Sequence, residues 1–139
     1  MDKTKRRMRL DDLEGSIVYL SGPMTGRLNF NFAQFDAWAA ELRNAGAVVL
    51  NPAETAGGAT HLPREWYFRM DFAVIGNAEA VVLMPGWDNS RGATIEALYA
   101  NELGVPLYQL DTSTDGIPYL TRIAKIYSFD VRYDCHLEF

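Results

Sequence analysis

The stretch AVVLMPGWDNSRGATIEA, residues 80–97, predicts a buried strand that turns directly into a helix. Its first five residues are apolar throughout, as in a strand covered on both faces, and Pro85-Gly86 ends the run. Ser90 is a typical helix N-cap, and the helix that it begins is expected to end at Gly104. A hydroxyl and a glycine therefore lie at the mouth of a strand-to-helix turn, and the carboxylate of Glu96 follows within the helix.

The same alternation of apolar strands and amphipathic helices extends along the chain. Strands are expected over residues 16–21, 47–50 and 105–110. Helices are expected over residues 29–46 and 63–77, with a short helix near 119–126, and a loop is expected over 53–62. Apolar strands that alternate with helices are typical of a parallel sheet covered on both faces. We therefore predict a single α/β domain with a parallel sheet of four to five strands and helices on both faces.

Charge is unevenly distributed along the chain. Residues 1–10 hold five of the 13 Lys and Arg residues, so the remainder carries eight basic and 17 acidic side chains. Such an acidic body repels polyanions, which argues against binding to a nucleic-acid polymer. Residues 1–14 are predicted to be a basic, flexible extension, and residues 15–139 the folded domain.

The overall composition is that of an ordinary soluble globular protein, with 48% hydrophobic and 22% charged residues. No apolar run approaches the roughly 18 residues of a membrane span, so no membrane partner is expected. The lone Cys135 excludes an internal disulfide framework and favours a reducing cytoplasm. Cys135 and His136 are interpreted as structural, and no HExxH, CxxC or acidic cluster predicts a metal site. We expect no cofactor.

Two strand ends carry residues suited to an anionic ligand. Ligands of open parallel sheets bind beyond the carboxyl ends of the strands. Residues 19–26, YLSGPMTG, contain glycines that let the backbone approach a ligand, although the GxGxxG dinucleotide pattern is absent. Ser90, Gly92 and the free amides of the following helix predict an anion site. Glu96 lies roughly 9 Å along the helix axis from Ser90, a span of the order of that between the 5′-phosphate and the anomeric carbon of a nucleotide.

A second carboxylate, Asp71, lies in the aromatic run WYFRMDF, residues 66–72. The aromatic rings are suited to stacking on a base. Two carboxylates are suited to breaking a glycosidic bond, one by attack and the other by managing the proton. The residues alone leave plainer alternatives open: a surface glutamate, aromatic core residues, and a tight turn after the first strand.

The chain contains three further motifs: LSGPMTG at residues 20–26, NPAE at 51–54 and PGW at 85–87. Together they resemble the small, often phage-encoded members of the nucleoside 2-deoxyribosyltransferase-like superfamily, and the similarity extends from about Ile17 to Pro106. The resemblance implies a Rossmann/flavodoxin-like fold and a small deoxynucleotide or deoxynucleoside as ligand. It also implies a homodimer or higher homo-oligomer whose subunits share active sites.

The resemblance further implies roles for individual residues. Glu96 matches the nucleophile that forms a deoxyribosyl-enzyme intermediate, Asp71 the aspartate that helps protonate the leaving base or orients the sugar, and Tyr19 a tyrosine near the nucleophile. The residues that match the loop shaping the base pocket are Gly22, Met24, Thr25 and Gly26.

Ser90 discriminates between substrates within this resemblance. Members that transfer deoxyribose between bases usually have an aspartate there, whereas 2′-deoxynucleoside 5′-monophosphate N-glycosidases have a serine that binds phosphate. A hydroxyl beside helix amides accepts a phosphate dianion that a carboxylate would repel. We therefore predict hydrolysis of such a monophosphate. Asp88 is expected to substitute for a family aspartate that this chain lacks. Base exchange between deoxynucleosides and a non-catalytic nucleotide-binding or sensing module stay open as alternatives.

Overall fold

The computed structural model describes residues 7–24, 26–55 and 61–124 of the chain. Three 3-10 turns, Leu10–Leu13, Leu28–Asn31 and Trp87–Asn89, accompany the strands and helices of this part. The strands are β1 (Arg7–Met8), β2 (Ile17–Ser21), β3 (Val48–Leu50), β4 (Ala80–Leu83), β5 (Leu107–Thr112) and β6 (Pro118–Ile123). The helices are α1 (Phe32–Asn44), α2 (Pro52–Thr55), α3 (Arg64–Ile75) and α4 (Arg91–Glu102).

The described strands form one mixed sheet in the order β1-β6-β5-β4-β2-β3. Strands β2 to β5 run parallel to one another, and β6 and β1 continue the sheet in antiparallel pairing beyond β5. The chain adds β3 on one side of β2 and then β4 on the other side. This reversal creates a crevice at the carboxyl ends of β2 and β4, where open α/β sheets bind their ligands.

Side-chain alternation along β2 and β4 divides the core between the two faces of the sheet. On one face, Val18 and Leu20 belong to a buried cluster with α1. On the other face, Tyr19 and Val81 belong to a cluster with α3 and α4. The buried apolar residues that α1, α3 and α4 contribute to these two clusters are Phe35, Ala39 and Leu42 of α1, Ile75 of α3, and Ala97 and Ala100 of α4. Odd-numbered residues of β2 therefore face α4, and this orientation positions the site.

The predicted α/β fold class is confirmed, but the sheet is larger than expected. Residues 118–123 form strand β6 instead of the predicted short helix, since a turn at Ser113–Gly116 folds this segment back onto β5. Gly116 has φ +80°, the left-handed conformation that favours glycine in such turns. The segment predicted as a loop from residue 53 also begins within the short helix α2.

The predicted flexible extension is wrong for residues 7–13. Arg7 and Met8 pair with Thr121 and Leu120 of β6, and Leu10 and Leu13 are buried in the core. Apolar residues interspersed among the charges account for this packing, because each buried leucine stabilises the fold by about 1.5–3 kcal/mol. Residues 1–6 lie outside the described part, as do the predicted Thr25, Cys135 and His136. None of the described helices combines the length and apolar character needed to cross a bilayer.

Candidate active site

The side chain of Glu96 is held at the end of β2 by two hydroxyl groups. Tyr19 Oη donates a hydrogen bond of 3.0 Å to Glu96 Oε2, and Ser21 Oγ donates one of 2.7 Å to Glu96 Oε1. Tyr19 and Ser21 reach the same carboxyl group because they are two residues apart and face α4 together. Each oxygen of Glu96 thus accepts from one of these two hydroxyl groups, which fixes the plane of the carboxyl group.

Asp71 of α3 lies beside this carboxyl group. The side chains of Asp71 and Glu96 are buried, with residue exposures of 8% and 7%, and neither forms a salt bridge within the described residues. Burial raises the pKa of Glu96 well above its ordinary value, and the nearby charge of Asp71 adds to the increase. Burial also raises the pKa of Asp71, although hydrogen bonding with Glu96 and Tyr19 offsets part of the increase. Two carboxyl groups so placed resist double ionisation and share a proton.

Tyr19 supports this proton-sharing pair as a neutral hydrogen-bond donor. Burial raises the pKa of its phenol well above the ordinary value, and the charges of Glu96 and Asp71 raise it further. The phenol therefore keeps its proton at neutral pH. The site therefore contains a carboxylate, a protonated carboxyl group and fixed hydrogen-bond donors. Acid-base and nucleophilic catalysis require groups of these kinds.

These side chains line a cavity of about 270 Å³. Tyr19, Asp71 and Glu96 contribute its acidic part, and Ser90 and Gly92 contribute the N-terminus of α4. The remaining described lining residues are mainly aromatic or apolar: Gly22, Met24, Phe30, Phe32, Phe35, Pro52, Leu62, Arg64, Tyr67, Phe68 and Ala93. A flat, largely apolar group fits such walls, with a polar group at the helix end.

Ser90 is the N-cap of α4, as predicted. Its Oγ accepts a hydrogen bond of 3.2 Å from the Ala93 amide, and Thr94 Oγ1 donates one of 2.8 Å to the Ser90 carbonyl. A hydroxyl that accepts from the backbone still has its own proton to donate. Ser90 can therefore cap the helix and donate to an anion in the cavity at the same time.

The loop after β2 approaches the cavity closely at Gly22. A Cβ atom on Gly22 would lie 2.9 Å from both the Cβ and the Sδ of Met84, so the position has no room for a side chain. Met24 also lines the cavity. Gly26 is exposed with φ +81° and lies outside the described lining, and Thr25 is outside the described residues.

Asp88 does not reach the cavity in the described structure. It is exposed in the 3-10 turn Trp87–Asn89 and is absent from the described lining residues. The turn directs the Trp87 ring instead toward β5, where its Nε1 donates a hydrogen bond of 3.1 Å to Gln109 Oε1. Substitution of Asp88 for the missing family acid therefore has no geometric support.

The structure adds residues that sequence reasoning missed. Ser21 follows from strand alternation, because it shares a strand face with Tyr19. Phe30 had no such signal: it has φ 54°, between Asn29 and Asn31, which are also left-handed. Left-handed backbone at bulky residues is costly and occurs where the surrounding structure enforces it, often at functional sites. Asn31 Nδ2 stabilises the turn by donating a hydrogen bond of 3.0 Å to the Pro23 carbonyl.

The buried pair predicts an unusual dependence of stability on pH. The folded protein retains a proton that the unfolded chain releases above about pH 4, so the free energy of unfolding falls as pH rises through the raised folded pKa values. Replacing Glu96 with Gln removes this effect. We expect the Glu96→Gln variant to exceed the wild type in stability near pH 7 and to differ much less near pH 4. Urea unfolding across this range measures it, and parallel pH profiles would contradict it.

Among the described residues, no group of three or more His, Cys, Asp or Glu side chains is placed to hold a metal ion. Comparison with curated protein sequences finds no match. A solved 2-deoxyribosyltransferase from the psychrotolerant bacterium Bacillus psychrosaccharolyticus has a similar fold, with a TM-score of 0.55 and 20% sequence identity. The similarity covers 68% of this chain and 71% of that enzyme.

A family model also matches a large continuous part of the chain. It is described as a domain of unknown function, DUF4406, and it matches residues 16–109. This range contains Tyr19, Asp71 and Glu96, and therefore the whole acidic part of the cavity. The resemblance to the nucleoside 2-deoxyribosyltransferase-like superfamily is confirmed at the level of the fold, and the chain belongs to the DUF4406 family.

Proposed function

We propose that this protein hydrolyses the N-glycosidic bond of a 2′-deoxynucleoside 5′-monophosphate. The products are the free base and deoxyribose 5-phosphate. The observation that carries the proposal is the carboxyl group of Glu96, held by Tyr19 and Ser21 beside Asp71 in a cavity that also contains the N-terminus of α4.

In the first step, a carboxylate oxygen of Glu96 attacks the anomeric carbon of the sugar. The bond from that carbon to the base nitrogen breaks, and its electron pair leaves with the base. Asp71 donates the proton shared by the acidic pair to the departing base. The two hydroxyl donors hold Glu96 in position, and this preorganisation lowers the barrier to attack.

In the second step, water releases the sugar from Glu96. Asp71, now ionised, takes a proton from the water as its oxygen attacks the anomeric carbon. The bond between that carbon and Glu96 breaks, so the glutamate and the shared proton are both restored. Two successive displacements give net retention at the anomeric carbon.

The N-terminus of α4 orients the substrate in this proposal. Ser90 and the Gly92 amide hold the 5′-phosphate, supported by the positive end of the helix dipole. From there to Glu96 is roughly 9 Å along the helix axis, and the side chains of Ser90 and Glu96 span part of this distance, so the substrate has to bridge only the remainder between its phosphate and its anomeric carbon. The aromatic walls contact the base.

Product analysis tests the proposal. Purified protein is incubated with each of the four common 2′-deoxynucleoside 5′-monophosphates and with the matching deoxynucleosides, and free base is quantified by chromatography. We expect base release from at least one monophosphate at a higher kcat/KM than from its deoxynucleoside. Ligand-induced stabilisation without any product would instead support the non-catalytic binding module.

Base exchange is the second candidate, because the enzyme of similar fold is a 2-deoxyribosyltransferase. The first step is the same, but a second base replaces water as the acceptor. The two functions are separated by adding a labelled free base to the reaction. Label in a new nucleoside or nucleotide indicates transfer, whereas accumulation of deoxyribose 5-phosphate indicates hydrolysis.

Ser90→Asp is expected to reverse the preference for a phosphorylated substrate. Aspartate is also a good N-cap, so α4 is retained, but its charge repels a phosphate dianion. Like charges in contact cost several kcal/mol, and we expect kcat/KM for the monophosphate to fall about 100-fold or more. The value for the deoxynucleoside should change little. Steady-state kinetics with both substrates measure the ratio, and an unchanged ratio would contradict phosphate binding at this helix end.

A further inference from the structure

The cavity is lined by both acidic and basic side chains, which lie at different positions along α3 and α4. Its acidic part contains Asp71 and Glu96, whereas Arg64 lines it from the first turn of α3. We propose that Arg64 binds the 5′-phosphate of the substrate and sets the preference for nucleotides over nucleosides. This inference rests on the proposed function and names the residue that selects its substrate class.

The packing of α3 on α4 places Arg64 near the N-terminus of α4. The rings of Phe72 and Tyr99 stack with centroids 4.3 Å apart. One turn earlier on α3, Phe68 Cζ lies 3.8 Å from where a Cβ atom on Gly92 would be. The Arg64 guanidinium lies over the same Phe68 ring, 5.1 Å from its centroid. Phe68 thus connects Arg64 to the first turn of α4.

The two helices also set similar separations between their polar groups. Arg64 precedes Asp71 by seven residues, about 10 Å along α3, and Ser90 precedes Glu96 by six, about 9 Å along α4. Since both helices contribute an acid to the same pair, their N-terminal groups lie at a similar level above it. The long side chain of Arg64 can therefore reach a phosphate that is bound at Ser90.

Arg64 is electrostatically available for an anion. The salt bridges among the described residues are Arg9–Asp11 and Arg43–Glu54, and neither involves Arg64. A cation in the first turn of a helix is also disfavoured by the helix dipole. A phosphate in the cavity would satisfy this charge, and a guanidinium binds phosphate through two parallel hydrogen bonds.

Arg64→Gln tests the assignment, with Arg64→Lys as the conservative variant. The matched control is Arg69→Gln, which removes an exposed arginine of the same helix that is absent from the described cavity lining. The kinetic parameters are determined for a deoxynucleoside 5′-monophosphate and for its deoxynucleoside. Binding of deoxyribose 5-phosphate is measured by calorimetry on the same proteins.

Arg64→Gln is expected to lower kcat/KM for the monophosphate about 10- to 100-fold, the range for a hydrogen bond to a charged group. Most of the loss should lie in KM, and the value for the deoxynucleoside should change less than about twofold. Arg64→Lys should recover part of the loss, and Arg69→Gln should match the wild type. Weakened binding of deoxyribose 5-phosphate in Arg64→Gln supports the same conclusion.

Other outcomes separate the two proposals. If the wild type hydrolyses the monophosphate and Arg64→Gln does so equally well, the role of Arg64 is wrong and the proposed function stands. Equal losses for the monophosphate and the deoxynucleoside would also overturn it, since they indicate a general structural effect. If the wild type neither turns over nor binds any of these ligands, both proposals fail.

Discussion

Glu96→Gln is expected to lower kcat for the monophosphate about 1000-fold or more, in line with the removal of other catalytic nucleophiles. An amide cannot donate the electron pair that forms the bond to the anomeric carbon. Tyr19 and Ser21 donate to different oxygens of Glu96, so only one of them can donate to the amide oxygen of the variant, and the other can accept from the amide nitrogen instead. The side chain keeps nearly the same shape. Single-turnover kinetics with excess enzyme measure the chemical step directly.

Glu102→Gln is the matched control for this change. Glu102 lies on the same helix and is exposed at its end, so its replacement makes the same carboxylate-to-amide change outside the cavity. The control should retain wild-type kinetics. A circular dichroism spectrum of Glu96→Gln that matches the wild type establishes that the fold is retained. Turnover by a folded Glu96→Gln protein at the wild-type rate would remove Glu96 from the mechanism.

Asp71→Asn is expected to lower kcat about 100- to 10000-fold, the range for loss of a general acid-base residue. Asparagine cannot protonate the departing base or take a proton from water. The loss should shrink when the substrate carries a base that leaves without protonation. Comparing kcat for a natural base and for an activated, more acidic base measures this dependence.

The pH profile provides the second readout for Asp71. Since the buried pair shares a proton, the wild type should lose activity both when the pair becomes fully protonated at low pH and when it becomes fully ionised at high pH. In Asp71→Asn the loss of activity at high pH, which reflects ionisation of the general acid, should disappear. A loss of the same size for every leaving group, with an unchanged profile, would reduce Asp71 to a residue that positions the sugar.

Much of the central sheet was predictable from sequence. Residues 80–97 indicate a strand, a turn and a helix because their signals are local: apolar continuity, Pro85-Gly86 and the Ser90 cap. The two antiparallel strands, β1 and β6, were missed for the opposite reason. Strand β1 has two residues and is specified by its pairing with β6, more than 100 positions away. Strand β6 is specified by the turn at Gly116 and by pairing with β5.

The acidic centre was predictable, but its surroundings were less so. Tyr19, Asp71 and Glu96 do come together, and their catalytic roles stay predictions. The position of Ser21 could have been predicted from the alternation of side chains along β2, although its partner Glu96 is 75 positions away. The position of Arg64 could not have been predicted, because it depends on the register between α3 and α4, which no local pattern encodes.

The most direct test is to trap the sugar on Glu96. A 2′-deoxy-2′-fluoroarabinonucleoside 5′-monophosphate with a readily leaving base carries a fluorine that slows both displacements, so a covalent intermediate accumulates. Intact mass spectrometry followed by peptide mapping is expected to find one fluorinated sugar phosphate on the peptide that contains Glu96, and none in Glu96→Gln. An adduct on another residue, or no adduct from a protein that hydrolyses the natural monophosphate, would contradict covalent catalysis by Glu96.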